Sequence, residues 1–256
     1  MGYAKVLVGV LFLFITLAAT SAADFQCATT NSTCRSLVGY VSPNTTALSA
    51  VQSLFQIKRF HDLLGANGFN ASTSPEQTIQ ANRTIKIPVT CRCANGTGVT
   101  DGPPVRTVIK DDTLFHIAAE IFSRLVTFEE IAAFNNIADP NNITAGQQVR
   151  IPLPCSCDEV EGVPVVHYGH VVQPGGSVDQ IATEFGTTPD ILLKLNGMTS
   201  ATALQAYQVL DVPLKACTSS VNSSSLDYPL LVSNGTYIYT ANDCVNCKCS
   251  SVNNYT

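Results

Sequence analysis

The chain has 256 residues, of which 45 % are hydrophobic and 13 % are charged, with ten cysteines and no tryptophan. The low charged fraction and a mean hydropathy of +0.18 argue against a disordered chain. A net charge of −5 argues against nucleic acid or an anionic membrane as the partner. The length allows one or two ordinary domains, or several small ones.

The first 23 residues have the pattern of a secretory signal peptide. Lys5 precedes an apolar run from Val6 to Ala19, which ends in small residues before Asp24. The run is shorter than the ~20 residues of a transmembrane helix, and no later stretch approaches that length. We expect cleavage before Asp24 and a secreted protein; a signal anchor is the alternative.

Nine Asn-x-Ser/Thr triplets point to the same compartment and predict a heavily glycosylated eukaryotic surface protein. In a secreted protein, disulfide bonds are the default use of the cysteines. The acceptor residues are Asn31, Asn44, Asn70, Asn82, Asn95, Asn142, Asn222, Asn234 and Asn254.

A short phrase that ends in Ile-Pro and Cys-x-Cys recurs along the chain. Residues 87–93 (IPVTCRC) return as 151–157 (IPLPCSC) and, in degraded form, as 212–217 (VPLKAC). The roughly equal spacing divides the chain into three units plus linkers. Because proline cannot donate a ladder hydrogen bond, we expect each Ile-Pro or Val-Pro to close an edge strand.

The second unit, residues 105–157, is the clearest. A β-rich segment at 106–109 is followed by apolar residues at helical spacing from Leu114 to Phe122. Thr127-Phe128-Glu129-Glu130 has the spacing of a capping box, and a closing strand follows at 148–151. The predicted order is strand, helix, helix, strand.

The third unit, residues 166–217, repeats this order, with a first strand at 170–172 and a proline at the start of its second helix. The first unit, residues 24–93, is more divergent. A cysteine-containing tail occupies 218–256 and is expected to be truncated. The sequence therefore predicts an α+β fold of three tandem βααβ modules, packed together and joined by disulfides.

These residues resemble lysin-motif (LysM) domains, specifically the three-LysM ectodomain of plant pattern-recognition proteins of the chitin-elicitor-binding and peptidoglycan-sensing type. The resemblance covers roughly 27–249. It rests on Val108-x-x-x-Asp112-Thr113-Leu114-x-x-Ile117-Ala118, on Asn135-Asn136-Ile137 before Gly146-Gln147, and on the Ile-Pro endings. The Cys-x-Cys linkers and the stretches 63–68 (LLGANG) and 166–170 (VHYGH) add to it.

The cysteines of an extended Cys-x-Cys pair lie about 6.6 Å apart, too far for a bond to each other. Six cysteines allow fifteen connectivities, among which the spacing does not choose. Zinc is the weaker alternative, because secreted chains keep such cysteines oxidised. The resemblance implies the pairs Cys27–Cys93, Cys34–Cys157 and Cys91–Cys155.

A second group of cysteines lies in the tail, at Cys217, Cys244, Cys247 and Cys249. We expect two disulfides there with open pairing; a metal knuckle is disfavoured because no histidine accompanies the cluster. Related surface proteins continue to a lipid-anchor signal, which this sequence lacks. We expect either a shortened chain or a soluble form, with the cell surface as the location if the anchor is present.

Catalysis is not expected. The acidic pairs Asp111-Asp112 and Glu129-Glu130 are explained as helix-start residues, and the acidic residues at 158–161 as a solvated linker. No nucleophile or metalloprotease motif is present, and the four histidines are scattered. The sequence therefore predicts no enzyme, no cofactor and no metal.

The resemblance implies binding of N-acetylglucosamine polymers between the loop after the first strand and the loop before the last. Without tryptophan, backbone amides would hold the acetamido groups and apolar side chains would contact the acetyl methyls. In the second unit, the preferred site, these loops are Lys110, Asp111, Asp112, Thr113, Leu114, Phe115 and Asn136, Ile137, Ala138, Asp139, Pro140, Asn141.

Plainer roles compete for several of these residues. Ile137 could belong to the core, Phe115 could pack against a second face, and Thr113 could be a helix cap. Asp111 and Asp112 could be simply solvated. The third unit is the second choice, through 173–177 (QPGGS) and 196–198 (NGM); glycans at Asn70 and Asn82 would crowd the first.

The expected protein recognises chitin oligosaccharides, peptidoglycan or both, and triggers plant innate immunity through a LysM receptor kinase; a homodimer is a further possibility. The stretches 167–170 and 224–227 favour the peptidoglycan-sensing or dual-specificity branch. A structural or adhesive cell-wall role is the alternative, and a glycan hydrolase is the weakest. Nucleic acid is not an expected partner.

Overall fold

A computed structural model describes residues 25–219, 221–225, 227–228, 230–240 and 243–251. The predicted signal peptide and Asn254 lie outside these residues. The strands are β1 (Thr33–Val41), β2 (Thr46–Ala47), β3 (Thr78–Ile79), β4 (Thr84–Ala94), β5 (Thr97–Thr100), β6 (Val105–Thr107), β7 (Gln148–Arg150), β8 (Val165–Val171), β9 (Val209–Thr218), β10 (Leu231–Ser233), β11 (Tyr237–Thr240) and β12 (Val245–Lys248).

The helices come in pairs between the long strands, and a π-helical turn at Ile117–Ile121 directly extends one of them. A 3₁₀ turn covers Ala201–Ala203. The α-helices are α1 (Leu48–Leu54), α2 (Phe60–Ala66), α3 (Leu114–His116), α4 (Phe128–Phe134), α5 (Val178–Phe185) and α6 (Pro189–Leu195). The α+β prediction is confirmed, and each unit shows the order strand, helix, helix, strand.

The first and third units share one sheet of six strands, in the order β10-β9-β8-β1-β4-β5. The two strands that meet between the units, β1 and β8, run parallel, with Leu37 beside Tyr168. A side chain at Gly39 would collide with the Tyr168 hydroxyl, so the absence of a Cβ at this position of β1 leaves room for the Tyr168 ring. β8 begins at Val165, several residues earlier than the strand predicted at 170–172.

The second unit has its own two-stranded sheet, β6 paired with β7. Its buried side chains belong to the same cluster as those of the first unit. Phe55 joins the two units, with its ring 5.1 Å from that of Tyr40 and 5.6 Å from that of Phe122. The third unit has a separate core around Tyr168.

The helix starts follow the sequence signals. Thr127 and Glu130 form the predicted capping box at α4, and Ser177 and Gln180 form another at α5. Pro189 occupies the first position of α6, where a missing N–H costs no hydrogen bond.

The prediction that each Ile-Pro or Val-Pro closes a strand is wrong for two of three units. Pro88 lies inside β4, opposite Leu37, and Pro213 lies inside β9, opposite His167. At both positions the strand has a neighbour on one side only, because β5 pairs from Cys91 onward and β10 pairs with residues 216–218. Each proline therefore sits on a local edge of a strand that gains its second neighbour further on.

The three disulfides implied by the resemblance are present: Cys27–Cys93, Cys34–Cys157 and Cys91–Cys155. They cross-link the amino-terminal segment to both Cys-x-Cys linkers and the linkers to each other. Since each unit is small, such cross-links supply stability that its own core could not.

The expectation of two tail disulfides is wrong by one. Cys217 bonds to Cys249, whereas Cys247 keeps its thiol, with Sγ 3.8 Å from the Thr240 hydroxyl oxygen. Cys247 lies in β12 and Cys244 three residues before it in the turn.

Candidate functional site

The first loop of the second unit, between β6 and α3, is a rigid turn. Its start is fixed because the Val108 amide donates to Gln147 (2.8 Å) and its carbonyl accepts from Gly146 (2.8 Å). Asp111 adopts a left-handed backbone with φ of 69°. Thr113 caps α3 by accepting from the His116 amide at 3.0 Å, which confirms the plainer of its two predicted roles.

Asp112 organises this turn from within. Its carboxylate accepts from the Ile109 amide at 3.0 Å and from the Arg106 guanidinium at 3.3 Å. The side chain is only 3 % exposed, so the alternative of a solvated Asp112 is wrong. Asp112 thus stabilises the turn, and Glu130 stabilises the start of α4 by accepting from the Thr127 amide.

The second loop, between α4 and β7, is anchored by an asparagine that we did not predict as functional. Asn135 donates its side-chain amide to the carbonyls of Ile131 (2.8 Å) and Arg150 (2.7 Å), and accepts from the Arg150 amide (2.8 Å). Asn136 then adopts φ of 55°, which turns the chain into the loop.

The same asparagine clamp occurs in the other two units. In the first unit, Asn67 makes the same three hydrogen bonds, one to Leu63 and two to Lys86. In the third unit, Asn196 makes them to Leu192 and Asp211. The signal was present in the sequence as Asn-Gly, Asn-Asn and Asn-Gly at matching places in the three repeats. This clamp places the start of the second loop identically in every unit.

The proposed contact residues separate into three groups. Leu114 is 1 % exposed and belongs to the core, so its side chain is not a ligand contact. Ile137 is partly buried against that core and partly on the surface. Phe115 is 54 % exposed, with an edge contact to Phe128 at 6.4 Å between ring centroids.

The remaining loop residues lie at the surface. Asp139 fixes the tip, accepting from the Asn141 backbone and side-chain amides at 3.0 and 3.2 Å. Within the described part of the chain, the backbone groups of Lys110 and Ala138 form no hydrogen bond. Ile137 and Pro140, close to Ala138 in the same loop, are partly exposed.

The glycan acceptors single out the third unit. All eight acceptor asparagines that the structure describes are exposed. Asn142 directly follows the second loop of the second unit, whereas no acceptor triplet falls between residues 143 and 221. The predicted glycans would therefore border the preferred loops and leave the third unit without any.

The loops of the third unit have the same frame but different surfaces. Gly175 takes φ of 83° and Ser177 caps α5. In the second loop Gly197 has φ of 62°, and Met198 packs partly against the unit's own core. Because glycine has no side chain, the loops of the third unit expose more backbone than those of the second and offer a ligand fewer apolar side chains.

The strongest electrostatic feature lies away from both loop sites. His167 and Asp211 are buried, with Nδ1 2.9 Å from both carboxylate oxygens and Nε2 2.7 Å from the Asp158 carbonyl. Burial alone would lower the pKa of His167, but the Asp211 carboxylate and the Asp158 carbonyl raise it above its usual value. Two acceptors around one ring favour the doubly protonated imidazole, so this pair is a structural ion pair.

A second histidine of the third unit has the opposite shift. Burial against the rings of Tyr168 and Phe185 lowers the pKa of His170 to about 4. His170 is therefore neutral at physiological pH.

In the part of the chain that the structure describes, no helix has the length and apolar character needed to cross a bilayer.

Comparison with known proteins agrees with this architecture. The LysM domain model matches residues 107–152 and 170–213, which fall within the second and third units. Two solved structures share the fold: a receptor-like kinase ectodomain (TM-score 0.59, 21 % identity, 72 % of this chain and 92 % of that one) and the LYK3 ectodomain (TM-score 0.56, 20 % identity, 70 % and 88 %).

Curated relatives are closer in sequence. LysM domain-containing GPI-anchored protein 2 of Arabidopsis thaliana is 48 % identical over 96 % of this chain and 70 % of its own length. The chitin elicitor-binding protein of Oryza sativa subsp. japonica is 44 % identical over 91 % of this chain and 66 % of its own length. The chain belongs to the plant family of LysM domain-containing proteins and spans about two thirds of these relatives.

Proposed function

We propose that the protein is a non-catalytic cell-surface receptor that binds N-acetylglucosamine polymers and acts in plant innate immunity. The observation that carries this proposal is the pair of hydrogen-bonded loops in the second unit, in which the backbone groups of Lys110 and Ala138 are free and Ile137 and Pro140 are partly exposed. Acetamido groups need amide partners, and acetyl methyls need apolar ones. The names of two relatives, a GPI-anchored protein and a chitin elicitor-binding protein, support the surface location and the ligand.

The partner in this proposal is a LysM receptor kinase. A relative from Physcomitrium patens named chitin elicitor receptor kinase 1 is 27 % identical over 77 % of this chain, which supports a receptor kinase with a related extracellular part as the partner. Ligand binding would promote the association. Association in a pull-down that does not respond to chitin oligomers would contradict this step.

The ligand is proposed to include chitin oligosaccharides, with peptidoglycan fragments as a second class. Titration calorimetry of the secreted, glycosylated protein with N-acetylglucosamine hexamer and with soluble peptidoglycan separates the two. Absence of heat with both ligands would contradict the binding proposal. Release of reducing ends during long incubation would contradict its non-catalytic character.

The location of the site is tested by Ala138→Lys, since Ala138 is exposed and its replacement leaves the core intact. We expect at least a tenfold weaker affinity for the hexamer, because a long cation fills the space beside the free amides. The matched control is Thr199→Lys, at the corresponding exposed position of the third unit. A loss confined to the control would move the site to the third unit.

A further inference from the structure

A cleft separate from the loops of the second unit lies between the first unit, the third unit and the tail. Its volume is about 280 Å³, close to the lower end of the roughly 300–1,000 Å³ typical of ligand pockets. None of the loop residues proposed to bind sugar lines it. It opens over the sheet face formed by β1, β4 and β8, beneath the segments 55–58 and 231–238.

The charges around this cleft are unevenly matched. The two acidic side chains that line it already have cations: Asp62 contacts Arg59 at 2.7 Å, and Asp101 contacts Arg92 at 3.0 Å. The two basic side chains that line it have no ion pair or hydrogen bond from their charged groups among the described residues. These are Arg35, half-buried in β1, and Lys58, exposed at the rim.

The rest of the wall is mixed, with aliphatic side chains beside polar ones such as Thr90, Ser233 and Thr236. Leu37, Val89, Val166 and Leu231 line it beside the two cations. The rim is fixed by Gln56, whose side-chain amide donates to the Val105 carbonyl at 3.0 Å and accepts from the Val105 amide at 3.3 Å. The cleft is thus a preformed site rather than a gap between loose segments.

We propose that this cleft binds a short acidic peptide, with a carboxylate on Arg35 and Lys58 and an apolar side chain against the aliphatic part of the wall. Arginine binds carboxylates in a bidentate fashion, and a partly desolvated guanidinium with no internal acceptor is suited to that role. The aliphatic lining favours a peptide over an acidic sugar, which has no apolar side chain. The site is independent of the sugar-binding proposal.

The test uses the secreted, disulfide-bonded protein and two matched probes at pH 7. N-acetyl-leucyl-glutamate carries two carboxylates; N-acetyl-leucyl-glutamine amide has nearly the same shape without charge. We expect the acidic probe to bind at least tenfold more tightly by microscale thermophoresis. Equal affinity for the two probes would overturn the proposal, and equally tight binding of digalacturonate would overturn the assignment to a peptide.

Three variants locate the contact. Arg35→Gln should weaken the acidic probe about tenfold, and Lys58→Gln, at an exposed position that does not threaten folding, about threefold. The matched control Arg83→Gln removes an exposed cation outside the cleft and should change nothing. Unchanged affinity in both Arg35→Gln and Lys58→Gln would overturn the proposal.

Discussion

The second and third units share one order of elements, yet they are held in place in different ways. The third unit contributes β8 and β9 to the six-stranded sheet and has its own core. The second unit forms a separate two-stranded sheet and shares its core with the first unit. The same motif can therefore be fixed by strand pairing or by side-chain packing.

One additional residue accompanies this difference. The span from the helix cap to the closing phenylalanine is one residue longer in the second unit (Thr113 to Phe122) than in the third (Ser177 to Phe185). The second unit absorbs the insertion as a π-helical turn, the usual structural result of such an insertion. The third unit keeps a regular α5 that ends at Gly186 in a left-handed conformation.

The two residues that follow the inserted turn contact the first and the third units. After Phe122, two successive residues, Ser123 and Arg124, take positive φ values of 51° and 62°. The Ser123 hydroxyl donates to the Val41 carbonyl in the first unit, and the Arg124 guanidinium lies 4.2 Å from the centre of the Tyr207 ring in the third. Two uncommon backbone conformations are thus offset by contacts that seat the second unit.

The largest expected difference between the units comes from Asp211→Ala. The change leaves His167 buried without its counter-ion, so the free energy of unfolding should fall by about 3–5 kcal/mol. Asp112→Ala in the second unit should cost about 1–3 kcal/mol, because its partner Arg106 is partly exposed. Urea titration followed by circular dichroism measures both, and equal losses would contradict the contrast.

A smaller effect is expected from pH. His170 has a folded pKa of about 4 against about 6.5 unfolded, so stability should decline, on the order of 2 kcal/mol, as pH falls from 6.5 towards 4. The raised pKa of His167 acts oppositely, so the unfolded chain loses its proton first and stability declines as pH rises above 6.5. The free energy of unfolding, measured between pH 4.5 and 8.5, should therefore be highest near pH 6.5.

The acid limb of that profile has its own control. His170→Phe keeps an aromatic ring beside Phe185 and removes the titrating nitrogen. We expect the decline below pH 6.5 to flatten in this variant. An unchanged acid limb would assign it to other groups.

Removing the helix cap should lower the free energy of unfolding in both units, with a smaller difference between the units than for the buried carboxylates. Ser177 takes part in a capping box with Gln180, whereas Thr113 makes a single bond to the His116 amide. Ser177→Ala should cost about 1–2 kcal/mol and Thr113→Ala about 1 kcal/mol or less. Thermal unfolding of the two variants at one pH compares them, and a larger loss for Thr113→Ala would reverse this ranking.

The smallest expected effect is an exchange of loop residues. Asp111 and Gly175 occupy the same position before the cap, both with left-handed backbone. Glycine adopts a left-handed backbone at lower cost than aspartate, so Asp111→Gly should stabilise the protein and Gly175→Asp should destabilise it, each by about 0.5–1 kcal/mol. Steric clash does not contribute at Gly175, because nothing lies within 4 Å of a Cβ added there. Paired urea titrations test the sign, which must be opposite for the two changes.

The repeat signals predicted the fold because they are local. Proline at the start of α6 and the capping boxes at Thr127 and Ser177 each act within one helical turn, so the sequence alone contained them. The disulfide pairs came from the resemblance, since spacing left fifteen connectivities open. The continuation of β4 through Pro88 could not be predicted, because it depends on where β5 joins the sheet.

The candidate site was predictable as loops but not as surfaces. The cap at Thr113 was anticipated, whereas the burial of Asp112 depends on Arg106 from the preceding strand. The parallel pairing of β1 with β8, and the cleft beside it, join residues far apart in sequence. No local pattern encodes such a contact.

The interleaved disulfides impose an order on biosynthesis. Cys27 finds its partner Cys93 once the first unit has been synthesised, but Cys34 and Cys91 bond to Cys157 and Cys155, at the end of the second. A chain emerging from its amino terminus therefore holds two thiols unpaired while some sixty further residues are added. Correct oxidation of this protein depends on an isomerase or on prior docking of the second unit, so variants that weaken that docking should appear first as mispaired chains.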